Sequence, residues 1–208
     1  MSTLRRTLAT TAAGLILGTA TLGAQASSRV QRHDGFNIGF GIGAADYDLK
    51  CSGCTTTGSS DPWEGGFGSS FYFRLGGAVS QQLLLGGEIS AGAIAGPNDR
   101  NSSVGQLLFT AQYYPGAFEG FHITGGMGPA AISLQDSGPT QVEAIGYALR
   151  AGVGYDFGIG RRFALTPYAN VGRTMIQQGS IETAGNPGAV SRLESKMLVQ
   201  FGLGFNWY

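Results

Sequence analysis

The sequence contains little charge, few potential metal ligands and, after its first 26 residues, no long apolar run. Charged residues make up only 12% of the 208 positions, against about 25% in a typical soluble domain, so an ordinary solvated surface is not favoured. The formal net charge of 0 argues against the basic footprint of a nucleic-acid-binding protein. The missing apolar runs exclude a bundle of membrane helices.

Glycine is abundant instead, with 36 residues, and it alternates with large apolar side chains. In the stretch GFNIGFGIG, residues 35–43, Phe36, Ile38 and Phe40 fall on one face of an extended chain, and glycine or asparagine falls on the other. Glycine is a poor strand former, because it loses backbone entropy and offers nothing to pack. A strand of this composition requires surroundings in which one face is apolar and the other is nearly bare.

The start of the chain has the pattern of a secretory signal peptide. Arg5 and Arg6 form a basic region, the apolar stretch LATTAAGLILGTATLGA follows, and the A-Q-A at 24–26 fits an A-x-A cleavage site. The alternative is a retained anchor helix, which the threonines and glycines disfavour because they dilute the apolar core of the stretch. The sequence therefore predicts a signal peptide over 1–26 and one domain over 27–208.

Eight segments of that domain alternate with period two, which is the pattern of a strand with two unlike faces. They span residues 35–45, 66–77, 82–94, 104–114, 120–131, 142–157, 162–176 and 195–208. Short links at 78–81, 115–119 and 158–161 alternate with longer polar links at 46–65, 95–103, 132–141 and 177–194. Short turns at one end and long loops at the other predict an all-β fold, an eight-stranded antiparallel up-and-down transmembrane β-barrel of the Gram-negative outer membrane. The even strand number predicts that both chain ends lie in the periplasm.

A soluble eight-stranded barrel of the lipocalin kind is the alternative architecture, since alternation alone does not say which face is inside. A soluble barrel needs a charged outer face, but the less apolar face here is mostly Gly, Ser, Thr and Asn. The interior of eight strands is also only just wide enough for side chains, and rows of Phe, Leu, Ile and Tyr would not fit there. We therefore expect the large residues to face lipid and the glycines to leave room for a few long polar side chains inside.

The signal peptide, the eight segments and the ending LVQFGLGFNWY resemble the small eight-stranded outer-membrane barrels of the OmpA/OmpX type. The resemblance implies an architecture rather than an activity. It also implies that the terminal strand, with Phe205, Trp207 and Tyr208, is the signal read by the barrel-assembly machinery. The partners expected on this basis are that machinery and the outer-membrane lipids, including lipopolysaccharide, with no nucleic acid, no cofactor and a monomeric state.

Cys51 and Cys54 are the only cysteines and form a CxxC pair in the first long link. Such a pair can be a redox motif or half of a zinc site. Zinc would need two further ligands, and His33 and His122 are both distant in sequence. The interpretation we favour is a short disulfide, formed in an oxidising compartment.

Three charged residues, Arg74, Glu88 and Arg150, fall on the small-residue face and are predicted to form a polar network inside the barrel. Arg74 and Glu88 should be near-diagonal neighbours in one hairpin, with Arg150 reaching across from the opposite wall. Two other charged residues, Glu143 and Arg173, fall on the apolar face, high on their strands. We expect both to lie above the hydrocarbon, where Arg173 could meet lipopolysaccharide phosphates.

The pattern favours a non-enzymatic barrel with a structural role or one that displays its loops, above all 46–65 and 177–194. One alternative is a narrow channel for small hydrophobic molecules, which would need an apolar pocket inside. The sequence shows little apolar material on that face beyond Tyr72, Leu198 and Tyr168. A less favoured alternative is a lipid A-modifying enzyme, because His122 lies near a turn with no carboxylate expected within reach.

Overall fold

The computed structural model describes residues 35–52, 66–95, 101–116, 120–135, 140–159, 162–183, 186–189 and 192–208. Within these ranges the chain is a closed antiparallel barrel of eight long strands with two short additional strands. The strands are β1 Phe36–Ser52, β2 Gly66–Ser80, β3 Leu83–Ala95, β4 Asn101–Tyr113, β5 Phe121–Gln135, β6 Thr140–Tyr155, β7 Phe157–Ile159, β8 Phe163–Thr183, β9 Asn186–Ala189 and β10 Arg192–Trp207. No helix in this part of the chain is long and apolar enough to cross a membrane.

Each long strand pairs with its neighbours in sequence, and the first and last strands close the ring. β1 pairs with β10 over fifteen residue pairs, and β10 pairs on its other side with β8. Closure pairs each of the eight long strands on both sides, which is the condition for placing a β-sheet in hydrocarbon. The predicted all-β, eight-stranded up-and-down barrel is confirmed.

The two ends of the barrel differ. One end carries the short connections β2–β3, β4–β5 and β7–β8, together with the start of β1 and the end of β10; it is called the turn end below. The opposite end, the loop end, carries the longer connections.

The strands reach further toward the loop end than the sequence predicted. β1 continues to Ser52, so the predicted loop 46–65 begins as a strand. The predicted loop 177–194 contains the end of β8, all of β9 and the start of β10. Period-two alternation identifies only the part of a strand whose faces differ in polarity, and the mixed composition of these extensions hides them.

The apolar face points outward along most of each strand. Phe71, Leu107, Phe109, Leu149 and Phe205 are between 43% and 60% exposed, and they contact no other layer of protein. The opposite face, which lines the interior, is buried. This orientation excludes the soluble barrel, because a soluble barrel would present its polar face to water.

Glycine provides the space that interior side chains occupy. A methyl group added at Gly41 or Gly204 would overlap the Tyr72 ring or hydroxyl, and one at Gly92 would overlap the Tyr47 hydroxyl. A methyl at Gly154 would lie 2.6 Å from Nε2 of His122. The interior is therefore filled by a few long side chains seated against bare backbone.

Candidate functional site

The middle of the interior contains an ion pair between adjacent strands. Arg74 on β2 stands directly opposite Glu88 on β3, closer than the near-diagonal relation expected from the sequence. Nε and Nη2 of Arg74 donate hydrogen bonds to Oε2 of Glu88 at 2.8 and 2.6 Å. The two side chains are 7% and 0% exposed, so the pair is shielded from water.

Arg150 on β6 reaches the same carboxylate from across the barrel. Its Nη2 donates to Oε1 of Glu88, and its Nη1 lies 3.5 Å from Oε1 of Gln200 on β10. Each oxygen of Glu88 thus accepts from a different arginine. The structure brings Arg74, Glu88 and Arg150 together into one cluster, which we call the lumen network.

Aromatic rings pack around the lumen network and narrow the interior further. The guanidinium carbon of Arg74 lies 5.0 Å from the centroid of the Tyr72 ring. Tyr72 in turn meets Tyr168 edge to face, with centroids 5.1 Å apart. The network and the two rings therefore lie side by side at one level of the interior.

A second buried polar cluster lies at the turn end, centred on Asp156. Oδ2 of Asp156 accepts hydrogen bonds from the hydroxyls of Tyr114 at 2.9 Å and Tyr208 at 2.5 Å. Oδ1 accepts from Oγ1 of Thr166 at 2.5 Å and Nδ2 of Asn206 at 3.2 Å. These five residues are called the Asp156 cluster. Their hydrogen bonds connect Tyr208, the last residue of the sequence, to the ends of β4 and β6 and to β8.

His122 belongs beside this cluster, which corrects one expectation. Its Nδ1 lies 3.7 Å from Oδ2 of Asp156, whereas the sequence predicted no carboxylate within reach. The missing information was the register between β5 and β6, in which His122 faces Gly154, two residues before Asp156. The period-two alternation of β6 does place Asp156 on the interior face, so the sequence contained a signal for a carboxylate near His122.

Burial sets the protonation of the two tyrosines in the Asp156 cluster. Desolvation raises the pKa of Tyr114 well above its usual value, and the negative charge of Asp156 raises it further. Desolvation likewise raises the pKa of Tyr208, with the neighbouring Tyr114 and Asp156 adding to the effect. Both hydroxyls therefore stay protonated at ordinary pH and act as hydrogen-bond donors to the carboxylate.

The interior near the loop end is apolar, which is the second correction. Ala45, Tyr47, Ile94, Val104, Ile132, Leu134, Ala144 and Leu198 form one buried cluster there, called the outer lumen cluster. On the same part of the barrel the outward positions Asn101, Ser103 and Gln135 are exposed and polar. On β4 and β5 the polarity of the two faces is therefore the reverse of that lower in the barrel, whereas β2, β6 and β10 keep exposed apolar side chains beside the cluster at Phe67, Ile145 and Met197.

The remaining predicted residues lie in different places. Cys51 is in β1, and Cys54 lies outside the described residues, so the disulfide remains a prediction. Phe205 and Trp207 point outward, and the ring of Phe205 stacks on Phe40 at 5.3 Å across the closing β1–β10 seam. Tyr208 turns its hydroxyl inward to Asp156.

No group of three or more histidine, cysteine or acidic side chains that could hold a metal ion occurs in the described part of the chain. The two polar clusters are each enclosed by the barrel wall. The carboxylate of Glu88 accepts from two arginines, and that of Asp156 accepts from three hydroxyls and the Asn206 amide.

Comparison with solved structures finds barrels of similar architecture and low sequence identity. The crystal structure of Neisserial surface protein A aligns with a TM-score of 0.56 and 9% identity, over 84% of this chain and 97% of that chain. OprG from Pseudomonas aeruginosa aligns with a TM-score of 0.48 and 14% identity, over 86% and 99%. Ail from Yersinia pestis aligns with a TM-score of 0.48 and 11% identity, over 84% and 98%. No protein-family model matches the sequence, and no curated protein matches it either.

Proposed function

We propose that this chain, which has the fold of the small eight-stranded outer-membrane barrels, resides in the outer membrane as a closed, non-enzymatic barrel that presents its loop end to the outside. The observation that carries the proposal is a closed wall whose interior is crossed by buried, hydrogen-bonded side chains. The outer surface is apolar, every long strand is paired on both sides, and the interior is crossed by the lumen network.

The loop end is the part available for interactions in this proposal. The segments 46–65 and 177–194 begin or end as strand extensions toward the loop end, and Tyr47 of the first segment belongs to the outer lumen cluster. A rigid base of this kind favours display, because loops anchored on a packed core hold their ends at fixed positions. Neisserial surface protein A, which aligns with a TM-score of 0.56, carries a surface location in its name.

Two measurements test the proposal. Fractionation of cells should recover the protein in the outer membrane, with faster migration on unheated gels, and recovery as a soluble periplasmic protein would contradict the location. Purified protein in planar bilayers should show no stable conductance next to a porin control. A steady, voltage-independent current would contradict the blocked interior.

A narrow route for small hydrophobic molecules is the second candidate, and the outer lumen cluster is the observation that favours it. The sequence suggested that such apolar material was nearly absent, whereas eight buried apolar residues line this level. All of them are at most 6% exposed, so the route would require side chains to move. Enhanced uptake of a small alkane by cells producing the protein, abolished by Val104→Gln, would favour this function over display.

Loop display itself is tested by exchange of the two outer segments. A deletion strain complemented with versions carrying foreign residues at 53–65 or 184–191 should assemble normal barrels and lose binding to its natural surface partner. Unchanged surface binding in both exchanged versions would contradict the display role.

A further inference from the structure

The outer wall of the barrel contains an apolar groove with a volume of about 710 Å³. Its floor is one row of paired small residues, Ala111, Gly125 and Ala151, that runs across β4, β5 and β6. Gly125 is open to the outside, with no atom within 4 Å of the position that a Cβ would occupy. The groove is thus a gap between bulky side chains of the outward face.

Large apolar residues form the upper wall of the groove. Phe109, Met127 and Leu149 follow one another in register one row above the floor, and the same row continues on β8 to Arg173. The three apolar side chains are between 46% and 60% exposed, so they shape the groove without filling it.

Arg173 is a charged residue in apolar surroundings. Val171 and Met175 flank it along β8 on the same outward face, and Leu149 faces it from β6; these three neighbours are 48%, 45% and 46% exposed. An exposed guanidinium beside lipid-facing side chains is stabilised by an anion at its own level of the membrane.

The level of Arg173 corresponds to the head groups. Arg173 lies ten residues above Phe163, where β8 begins, and each residue rises about 2.5 Å along a tilted barrel strand. The resulting height of about 25 Å matches the thickness of the apolar band of such barrels. Ala111 lies only two residues from the turn-end limit of β4, so the groove rises from the inner half of the wall toward Arg173.

We propose that this groove binds one phosphorylated lipid of the outer leaflet, with a phosphate on Arg173 and an acyl chain that descends past Leu149 and Met127 toward the floor at Gly125. Arginine matches a phosphate through two parallel hydrogen bonds, and the apolar groove matches a saturated chain. The occupant we infer is the lipid A part of lipopolysaccharide. A second copy of the chain is a poorer match, because a two-fold interface on this groove would bring two copies of Arg173 together.

The test is lipid retention by purified protein in detergent, measured by native mass spectrometry with lipid A and with the same lipid lacking its phosphates. Wild-type protein should retain lipid A and prefer it to the phosphate-free form. Arg173→Gln should weaken lipid A binding about tenfold and abolish that preference, consistent with the loss of a charge-assisted contact. Arg162→Gln, which removes an exposed arginine at the turn end, is the charge control and should bind as the wild type does.

The groove is tested separately by Gly125→Leu, which should weaken the binding of both lipids because it fills the floor. Gly105→Leu is the matched control, since Gly105 is also exposed and open but lies outside the groove. Gel mobility before heating verifies that each variant is folded. Equal affinity of the wild type for the two lipids would overturn the proposal. Unchanged lipid A binding in Arg173→Gln or in Gly125→Leu would overturn it as well. A shift from dimer to monomer in Gly125→Leu without a change in lipid binding would assign the groove to a second copy instead.

This inference rests on the proposed outer-membrane location, but the two can fail separately. The lipid assay uses purified protein and does not depend on where the cell places it, whereas fractionation tests the location without reference to Arg173.

Discussion

Glu88→Gln is the substitution that tests the lumen network most directly. The residue is 1% exposed, and its two oxygens accept from Arg74 and Arg150. Glutamine keeps the size and shape of the side chain but removes its charge, so two buried guanidinium groups lose their counter-charge. Removing one partner of a buried ion pair costs about 3–5 kcal/mol. Because one substitution affects two pairs, we expect a loss of unfolding free energy near the upper end of that range.

A triple variant, Arg74→Met/Glu88→Leu/Arg150→Met, separates loss of charge balance from loss of the network. It leaves no unpaired charge, and replacement of a complete buried ion cluster by apolar residues of similar volume is often neutral or stabilising. We therefore expect it to unfold at a higher urea concentration than Glu88→Gln. Asp46→Asn, at an exposed outward position, is the control and should change stability by less than about 0.5 kcal/mol.

The assay is urea unfolding of protein in lipid vesicles, followed by loss of the fast-migrating folded band on unheated gels. A midpoint for Glu88→Gln within the error of the wild type would show that the carboxylate does not hold the two arginines. A triple variant less stable than Glu88→Gln would show that the cost arises from packing rather than unpaired charge. Either result would refute the reasoning.

Three further predictions concern the packing of the interior and the terminal strand. Gly204→Ala should destabilise the barrel by about 1–3 kcal/mol, because the added methyl overlaps the Tyr72 hydroxyl. Gly87→Ala is the control: its added methyl meets nothing within 4 Å, so this variant should unfold like the wild type in the same urea assay. Burial raises the pKa of Tyr208 well above its usual value, so the contribution of its hydroxyl to stability should be complete below about pH 10 and be lost as the pH rises further. Tyr208→Phe should therefore reduce the decrease of the unfolding free energy with pH above about pH 10, measured by urea titrations. An unchanged decrease would contradict the role of the hydroxyl. Deletion of residues 205–208 removes the Phe205 contact in the β1–β10 seam and the Tyr208 contact with Asp156, so membrane insertion should fail while secretion continues; normal amounts of folded protein would contradict this.

The barrel itself was predictable from the sequence because its cause is local. A strand with one face against lipid and one face in a narrow interior must alternate at every second residue, and 36 glycines among 208 residues make that alternation visible. The same parity places Arg74, Glu88 and Arg150 on one face without any knowledge of distant contacts. Outward orientation followed from volume, since the large side chains could not fit inside eight strands.

The contacts across the barrel were decided by the tertiary structure. Whether Arg150 reaches Glu88, and whether His122 lies near Asp156, depends on register and on the stagger accumulated around the closed ring, which no single strand encodes. The outer lumen cluster was missed for a related reason. On β4 and β5 the polarity of the two faces reverses toward the loop end, so a period-two pattern of one fixed polarity ends there. The sequence therefore determined which side of each strand faces lipid, while ring closure determined which side chains meet inside.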